Sequence, residues 1–476
     1  MNGPVPVGAS HSTRSAVTWL WAAALAVVAL LRVISYDGSG SDALIMAASV
    51  VLFVVVQLVL IALRVSDMTR LSAAYFATFY FGNRVLAEVW LGSPLEAAAG
   101  TVAPLLLGDV VLLEIIVRRR LLPTAWQYVV AALLLVPAIG VVTAPWFAPD
   151  AFFYQYAVLV RLAVVARVVY LLSRRAASAA RDSAEVARIA MVFAALGLLT
   201  GAVALLTGGR VGLPGWGINV HANALAVVGA VCGWSALYDT RRRWLNVALL
   251  AGCLIGIVGT GTRLALVALL VVLAWSTAAR LVARRYVVFG YLSVGVVAGV
   301  LLIGFIGPIL ALVGEVNPRF ATFGGLEVTS STRPQEVFAA LGNESTFRSR
   351  TVLWGASWEM LATHPVSGIG WGQWNWQKAE YGVPFDALLD PHNGYLWALA
   401  EGGVIGFVLV YLSVGVVLVY AGPSLATFGV LLALMLEVTN ANLQKPLFAV
   451  LLAVLLGLAM SHASSRRDRR AAQGDG

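Results

Sequence analysis

Charged residues are scarce in this sequence. Asp, Glu, Lys and Arg make up 12% of the 476 residues, and the chain has only two lysines, Lys378 and Lys445. A soluble domain carries about 25% charged residues, because its surface must be hydrated. Hydrophobic residues make up 60% of this chain. The composition excludes a soluble globular enzyme, a disordered chain and a fibrous protein, and it favours the lipid bilayer as the environment of most residues.

Cysteine and clustered metal ligands are also nearly absent. The two cysteines, Cys232 and Cys253, lie within apolar runs, so we expect neither a disulfide framework nor a metal site. The formal net charge is +9. Because the arginines lie between apolar segments, this charge favours a role in membrane topology over binding of nucleic acid. We expect no metal, no cofactor and no nucleic-acid partner.

Long apolar runs are abundant. A membrane helix needs about 20 mostly apolar residues, and on this rule the sequence predicts about 14 spans. The predicted spans are residues 16–34, 43–63, 71–91, 100–117, 125–143, 152–173, 187–207, 219–239, 244–262, 264–279, 286–313, 393–420, 423–440 and 446–462. The short pair 244–262 and 264–279 would also suit one broken, re-entrant element.

The predicted fold class is therefore all-α, a polytopic transmembrane helix bundle of about 12–14 spans. Residues 1–313 form its first part with about 11 spans, and residues 392–463 form its last part with about three. Residues 314–391 form one long extracytoplasmic loop, and residues 464–476 form a basic tail.

Arginine placement predicts the orientation of the bundle. If the N-terminus is cytoplasmic, the inside connections carry most of the arginines, as the positive-inside rule requires. These are Arg14, Arg64, Arg70, Arg118, Arg119, Arg120, Arg174, Arg175, Arg181, Arg241, Arg242, Arg243, Arg280, Arg284, Arg285, Arg466, Arg467, Arg469 and Arg470. We expect a multi-pass protein of the inner or plasma membrane with both termini in the cytoplasm.

Five arginines do not follow this pattern, and one of them, Arg167, lies deeper in its predicted span. Arg210 and Arg263 lie in outside connections, and Arg84 and Arg161 lie in the outer halves of predicted spans. A charge within a span costs at least ~2.5 kcal/mol and usually faces a polar cavity. Each could instead snorkel or pair with a carboxylate such as Glu88 or Asp109. Together they indicate an anion pocket at the outer face, and the planar guanidinium suits a phosphate or diphosphate.

The long loop contains one helical pattern. Residues 347–363 are predicted to form an amphipathic helix whose first turn carries Arg348 and Arg350. These arginines extend the predicted anion pocket. The alternative is ordinary anchoring at the membrane interface by Trp354 and Trp358.

The next segment, residues 364–376, combines three glycines with three tryptophans. Glycines allow a backbone to approach a ligand closely, and indole faces stack on sugar rings. Trp371 is therefore a candidate substrate contact. A membrane-interface belt of aromatic side chains is the alternative, and the aromatic residues alone favour it.

One histidine stands out by position. His392 lies where the loop returns to the membrane, between Asp390 and Asn393. A neutral imidazole there could take a proton from a hydroxyl, so His392 is the candidate general base.

These segments resemble the O-antigen ligase and polymerase family of membrane glycosyltransferases over roughly residues 205–410. The order and spacing of six short motifs carry the resemblance. They are Arg210 with His221-Ala-Asn223-Ala-Leu, Thr260-Gly-Thr-Arg263-Leu-Ala, Arg350-Thr-Val-Leu-Trp354, His364-Pro-Val-Ser-Gly-Ile-Gly-Trp371-Gly, Pro391-His392-Asn393-Gly-Tyr-Leu, and Glu401-Gly-Gly-Val-Ile-Gly.

The resemblance implies a reaction. A glycan on a polyprenyl diphosphate passes to a hydroxyl of a glycan or glycolipid acceptor, without metal and with inversion at the anomeric carbon. His392 would be the general base. The outer arginines would hold the diphosphate, while Asn223, Asn393 and Trp371 would contact substrate. Membrane lipids surround the protein, and ligase and polymerase activities stay equally open.

Two other functions are compatible with the hydropathy. A transporter or flippase of a lipid-linked saccharide would need polar groups at mid-membrane and internal repeats. The sequence shows no clear repeat, and its polar groups cluster outside. A non-catalytic membrane scaffold would explain the apolar runs but leaves the outer arginines and Pro391-His392-Asn393 unexplained.

Overall fold

The computed structural model describes the larger part of the chain. The described residues are 55, 57–63, 65–81, 107–119, 121, 149–175, 179–207, 218–238, 242–281, 311–315, 322–323, 326–329, 331–332, 336, 340, 345–384, 390–421, 424–438 and 440–472. The predicted spans 16–34, 125–143 and most of 43–63 and 286–313 lie outside them.

Almost all of the described secondary structure is helical. The helices are α1 Asp67–Phe81, α2 Leu107–Arg119, α3 Pro149–Arg175, α4 Ala179–Thr207, α5 Ile218–Tyr238, α6 Arg243–Thr260, α7 Arg263–Leu281, α8 Ser345–Thr363, α9 Trp374–Gln377, α10 Gly394–Phe407, α11 Ser413–Ala421, α12 Leu425–Glu437 and α13 Pro446–Ala472. A π-helical turn, Val408–Leu412, joins α10 to α11, and 3₁₀ turns occupy Lys378–Tyr381 and Asn442–Gln444. The strands β1 Thr322–Phe323 and β2 Leu326–Glu327 form a short antiparallel pair.

The helix ends follow local sequence signals. Ser424 caps α12 by accepting the backbone N–H of Thr427 at 3.2 Å, and Pro446 occupies the first turn of α13, where a missing N–H costs nothing. Gly261 ends α6 in the left-handed conformation, with φ 64°, and α7 begins two residues later. The pair 244–262 and 264–279 thus consists of two helices separated by a glycine.

Helix α5 lies at the centre of the described bundle. It packs against α4, α6, α7, α12 and α13. Within its apolar stretch, Ile218–Leu237, 89% is buried. A helix that is apolar on every side is stable only when protein or lipid surrounds it completely. The polar residues of α5 therefore face other helices.

Glycines set the closest helix packing. A Cβ atom at Gly197 of α4 would lie 2.3 Å from the carbonyl oxygen of Gly252 in α6, and one at Gly256 would lie 2.4 Å from the Cα of Gly197. Small residues let membrane helices approach at backbone distance, where dispersion attraction replaces the missing hydrophobic effect. Larger residues here would separate α4 from α6.

The all-α prediction is confirmed. Within the described residues, five helices are long and apolar enough to span a membrane: Ala190–Thr207, Ile218–Leu237, Arg243–Thr260, Gly394–Ala421 and Phe448–Ser465. The ends of each lie within three residues of those of a predicted span, and assignments of helix ends commonly differ by one or two residues. Two shorter apolar helices, Arg263–Thr277 and Ala426–Glu437, match the predicted spans 264–279 and 423–440.

Candidate active site

The candidate base, His392, lies in a tight turn before α10. Its φ of 50° is in the left-handed region, which is unfavourable for a residue with a side chain. Asp390 stabilises the turn, because its Oδ1 accepts the backbone N–H of His392 at 2.8 Å. Trp354 of α8 donates its indole N–H to the carbonyl of Pro391 at 2.9 Å. Strain of about 1–3 kcal/mol persists only where several contacts enforce it, and it clusters at functional sites.

Asn393 directs α10 away from this turn. Its side-chain oxygen accepts the backbone N–H groups of Tyr395 and Leu396, both at 3.0 Å, which makes Asn393 the N-cap of the helix. The sequence placed Asn393 among the substrate ligands. In the structure its carbonyl oxygen is bound to the helix, so only its amide nitrogen could serve a ligand.

Asp390 connects His392 to a lysine. The carboxylate is 4% exposed. Its Oδ1 lies 2.9 Å from Nδ1 of His392, although the two groups are not aligned as a hydrogen bond. Its Oδ2 accepts a hydrogen bond from Nζ of Lys445 at 3.3 Å. Burial alone would raise the pKa of the Asp390 carboxyl, but Lys445 and His392 outweigh it and hold the pKa well below its usual range. Asp390 is therefore an anion at neutral pH.

Arg350 lies beside this group on the second turn of α8. It is half-buried, and no described residue accepts a hydrogen bond from its Nε. Burial lowers the pKa of the guanidinium, and the Asp390 charge partly restores it. Arg350 is one turn from Trp354, which contacts Pro391, so both side chains lie on the helix face towards the turn. A guanidinium remains charged at any relevant pH, and this one has a donor to spare for a ligand.

The glycine- and tryptophan-rich loop joins a break in α10. Gly403 has φ 60° and ψ −168°, so the helix opens at that point. The loop supplies the missing backbone partners: Ile369 and Gly370 donate to the carbonyls of Ala400 and Glu401, both at 2.9 Å. In return Val404 donates to the carbonyl of Pro365 at 2.9 Å, and Ile405 donates to that of Val366 at 3.2 Å.

Glu401 fastens the same loop with its side chain. Its two carboxylate oxygens accept the backbone N–H groups of Gly372 at 2.8 Å and Trp374 at 2.9 Å. A buried carboxylate satisfied by backbone donors fixes local geometry. The two family-like motifs at residues 364–372 and 401–406 therefore form one structural unit.

Trp371 belongs to the core of this unit and not to a substrate surface. It is 1% exposed, and its ring packs edge-on against Trp397 with centroids 4.9 Å apart. Gly402 and Gly406 lie against its indole, where a Cβ would approach to 2.6 and 3.0 Å. The stacking role predicted for Trp371 is not compatible with this burial, because neighbouring backbone covers the ring.

Asn223 reaches the site through a buried amide network. Its Nδ2 donates to Oδ1 of Asn442 at 2.7 Å, and Asn440 donates to the same oxygen at 3.1 Å. Asn442 in turn donates to the carbonyl of Leu436 at 3.1 Å. The network joins central helix α5 to the turn between α12 and α13.

Glu437 lies between that network and the turn of His392. It is fully buried, its Oε1 accepts the N–H of Leu443 at 3.1 Å, and Tyr411 donates to its Oε2 at 3.4 Å. Gly394, two residues after His392, packs directly on this carboxylate, since any Cβ there would overlap Oε2. Sequence reasoning missed Glu437, although an acidic residue in an apolar span is itself a signal of function or pairing.

Arg263 begins α7 and contacts the short hairpin. Its guanidinium donates to the backbone carbonyl of Thr322 in β1. The neighbouring Thr262 hydroxyl bonds Asn219 at the start of α5 at 3.4 Å. Two helix N-termini and Arg263 thus meet near one point, and such N-termini favour anions.

Arg161 has a partner inside the protein. Its guanidinium forms a paired contact with Asp109, Nε to Oδ1 at 2.8 Å and the terminal nitrogen to Oδ2 at 2.7 Å. Tyr75 donates to the same Oδ1 at 2.7 Å. Arg161 is 5% exposed. The alternative of pairing with Asp109 therefore describes this residue, and its predicted contact with substrate does not fit an ion pair already closed on both sides.

Three of the predicted arginines receive no structural description of their side chains. Arg84 and Arg210 lie outside the described residues, and Arg348 is in the first turn of α8 with its side chain outside the description. Their proposed contacts with the diphosphate stay predictions.

The structure therefore brings together His392, Asp390 and Arg350. Asn223 is linked to this group indirectly, through Asn442 and the neighbouring contact of Leu443 with Glu437. The structure adds Lys445, to which the sequence assigned no role. The signal for Lys445 was its rarity: it is one of only two lysines and lies just before the last span.

Comparison with known proteins bears on the family of the chain. No curated protein matches the chain in a sequence search. Residues 247–411 match the family described as O-antigen ligase. The matched segment contains Arg263, Arg350 and His392, together with the loop unit. It supports a membrane enzyme that transfers glycosyl groups between lipid-linked glycans and glycolipid acceptors. The match confirms the family resemblance: residues 247–411 of this membrane protein are similar to the O-antigen ligase family domain.

Proposed function

We propose that this protein transfers a glycan from a polyprenyl-diphosphate carrier to an acceptor hydroxyl at the extracytoplasmic membrane face. The observation that carries the proposal is the half-buried Arg350, whose Nε has no acceptor among the described residues. It lies beside the Asp390 carboxylate and His392, whose backbone is strained. A cation with a spare donor next to a possible base suits an anionic leaving group and a hydroxyl nucleophile.

The reaction needs one proton acceptor and one site for negative charge. Nδ1 of His392 faces Asp390, which leaves Nε2 to take the proton of the acceptor hydroxyl. The hydroxyl oxygen forms a bond to the anomeric carbon as the bond from that carbon to the diphosphate oxygen breaks. The polyprenyl diphosphate leaves with the electron pair. Attack opposite the leaving group inverts the anomeric configuration.

Arginines stabilise the leaving diphosphate in this scheme. Arg350 and Arg263 are the described candidates, and Arg84, Arg210 and Arg348 remain proposed ligands from sequence. A guanidinium can bind two phosphate oxygens in one plane. The electrostatic attraction between the guanidinium and the phosphate is stronger where water is excluded. Ligase and polymerase differ only in the acceptor, and both use these groups.

The test is transfer by purified protein in lipid nanodiscs supplied with a polyprenyl-diphosphate glycan and candidate acceptors. We expect product formation together with release of polyprenyl diphosphate. Arg350→Ala and Arg263→Ala should lose most turnover at limiting donor, and Arg350→Lys should recover part, since lysine lacks the planar fork. Arg467→Ala is the matched control, because Arg467 is exposed near the far end of α13.

Two results would contradict the proposal. Near-normal turnover of both alanine variants at limiting donor would remove the diphosphate pocket. Movement of the lipid-linked saccharide between leaflets without any transfer would favour the flippase alternative.

The proposed orientation has its own test. Cys232 and Cys253 are both buried, which keeps background labelling low. Glu327→Cys should react with a membrane-impermeant maleimide in intact cells, and Arg467→Cys only after permeabilisation. The reverse pattern would place the loop in the cytoplasm.

A further inference from the structure

We propose that Lys445 is a positioning residue for His392 and acts through Asp390. This inference rests on the proposed function, since it concerns the same base. Lys445 lies outside the family match at residues 247–411. It would be a contribution of the turn before the last helix to a site built mainly by the loop and α10.

The contacts form a short line of three groups. Nζ of Lys445 donates to Oδ2 of Asp390 at 3.3 Å, while Oδ1 of Asp390 holds the backbone N–H of His392 at 2.8 Å and faces its Nδ1 at 2.9 Å. The lysine thus engages one carboxylate oxygen and leaves the other for the histidine. Rotation of the carboxylate would break both contacts on His392.

This division selects one state of the imidazole. A carboxylate oxygen facing Nδ1 favours the tautomer that carries its proton there, so the lone pair is on Nε2. In hydrolytic triads an aspartate hydrogen-bonded to Nδ1 orients the histidine, and its loss severely impairs catalysis. Here Oδ1 of Asp390 lies 2.9 Å from Nδ1 without the alignment of that bond, so its effect on the imidazole is electrostatic. Lys445 adds a fixed charge that holds the carboxylate in place.

Burial argues against an incidental surface ion pair. The Asp390 side chain is 6% exposed and that of Lys445 is 34% exposed. Exposed pairs contribute little because water screens them, whereas a nearly buried carboxylate needs a compensating charge. The Asp390 carboxylate also supports the left-handed backbone of His392. Its position therefore affects both the backbone conformation and the imidazole of the base.

The backbone of Lys445 is equally fixed. Its N–H donates to the carbonyl of Asn442 at 2.8 Å, and its carbonyl accepts the N–H of Ala449 in the first turn of α13 at 3.0 Å. Lys445 therefore starts from a rigid point at the head of the last helix. A long side chain held at its base loses less freedom on pairing than one on a loose loop.

The test compares Lys445→Met, Lys445→Arg and His392→Ala in full-length protein in nanodiscs. Lys445→Met should lower kcat roughly 10–100-fold, by analogy with the loss of outer residues that orient metal ligands. KM for the donor should change little. Lys445→Arg should restore most of the turnover, because it keeps the charge.

A double variant and a chemical probe separate positioning from a general structural effect. Lys445→Met/His392→Ala should be no slower than His392→Ala alone, since residues that act as a unit are not additive. Diethyl pyrocarbonate, which acylates imidazole, should modify His392 in Lys445→Met at a rate different from wild type. His364 of the same loop is the internal reference for the mass spectrum.

Unchanged turnover and unchanged His392 modification in Lys445→Met would overturn the proposal, as would a full additive loss in the double variant. If Lys445→Met folds poorly, Asp390→Asn/Lys445→Met removes both charges, and wild-type turnover in that protein would also overturn it. The modification rate needs no glycan transfer. Altered His392 reactivity in a protein that transfers no glycan would therefore support the positioning role and reject the proposed function.

Discussion

Two buried aspartates in this chain hold cations in different ways. Asp109 accepts hydrogen bonds from two guanidinium nitrogens of Arg161 and from the hydroxyl of Tyr75. Asp390 has one lysine at 3.3 Å on one oxygen, and on the other a histidine in a strained backbone conformation. The first carboxylate has strong partners on each oxygen and joins three helices. The second carboxylate holds His392 and Lys445 in position but leaves both side chains able to contact a ligand.

The difference teaches how to separate structural from functional charges in a membrane protein. Both aspartates are buried and both have cationic partners, so burial and pairing alone do not distinguish them. The two aspartates differ in how completely their oxygens are paired and in whether a neighbouring residue has a strained backbone. A saturated ion pair has nothing left for a ligand, whereas an enforced left-handed residue beside a spare donor indicates a site.

The largest effect should come from His392→Ala. General-base catalysis contributes about 10²–10⁴-fold, so turnover should fall by at least that range. Donor binding and thermal unfolding should change little, because the proposed diphosphate ligands are arginines and a methyl group fits the space of the partly exposed imidazole. The measurement is turnover, donor affinity and melting on one preparation.

His364→Ala is the control for that comparison, since His364 is in the same loop and pairs only locally with Thr363 at 3.0 Å. Its turnover should stay near wild type. A stable His392→Ala protein with wild-type turnover would show that Asp390 differs from Asp109 in geometry only.

The opposite result is expected when the saturated pair is broken. Arg161→Met leaves Asp109 charged and buried, and removal of one partner from a buried pair costs about 3–5 kcal/mol. We expect a large fall in melting temperature in detergent, with turnover per folded molecule retained.

Removing both charges together, in Arg161→Met/Asp109→Leu, should recover part of the lost stability, because no charge stays buried while the Tyr75 hydroxyl loses its acceptor. A single variant as stable as wild type but slow in transfer would place Arg161 in the donor site and remove the contrast with Asp390.

An intermediate effect is expected at the break in α10. Gly403 has φ 60°, and a Cβ there would lie 2.4 Å from the carbonyl oxygen of Val366. Gly403→Ala should cost about 1–3 kcal/mol of stability through backbone strain, and more through the clash. Turnover should fall too, since the loop is displaced from α10.

Gly415→Ala supplies the matched control. Gly415 lies in α11, and a Cβ there meets no atom within 4 Å. In a helix interior alanine is favoured over glycine by up to about 1 kcal/mol, so this variant should be at least as stable as wild type. Equal effects at both positions would mean that the loop does not depend on the break.

The smallest expected effect is the change in the pH dependence of stability when Asp390 is replaced. Because the pKa of Asp390 is lowered in the folded protein, its ionised form adds stability at neutral pH, and this is lost as pH falls through the folded-state pKa. Asp390→Asn should therefore lower the melting temperature at pH 7 by a nearly constant amount down to about pH 4, near the ordinary Asp value. Below that pH the two melting curves should converge. A gap that already closes between pH 7 and pH 5 would contradict the lowered pKa.

Sequence reasoning identified the spans better than the side-chain roles. Apolar length predicts a helix in lipid because all backbone groups must be paired there, so five described spans fall where expected. The break at Gly402–Gly403 was missed, since apolar residues on both sides continue the hydropathic run. The glycine pair was the available signal.

Side-chain partners depended on tertiary contacts. Trp371 has the composition of a sugar-stacking residue, but only the structure shows that Gly402 and Gly406 cover its ring. Arg161 could have faced a pocket or Asp109, and only packing decides between the two. Position in the chain, at the end of the polar loop, made His392 the candidate base, and that role stays a prediction.

The paired hydrogen bonds between residues 365–370 and 400–405 have a consequence for engineering. The loop and the membrane helix share one set of backbone bonds, so neither is an independent module. A chimaera that exchanges the external loop between related enzymes to alter acceptor choice must transfer the opened stretch of helix with it. A graft limited to residues 364–376 would leave unpaired amides and carbonyls at the membrane surface, and its failure would say nothing about acceptor recognition.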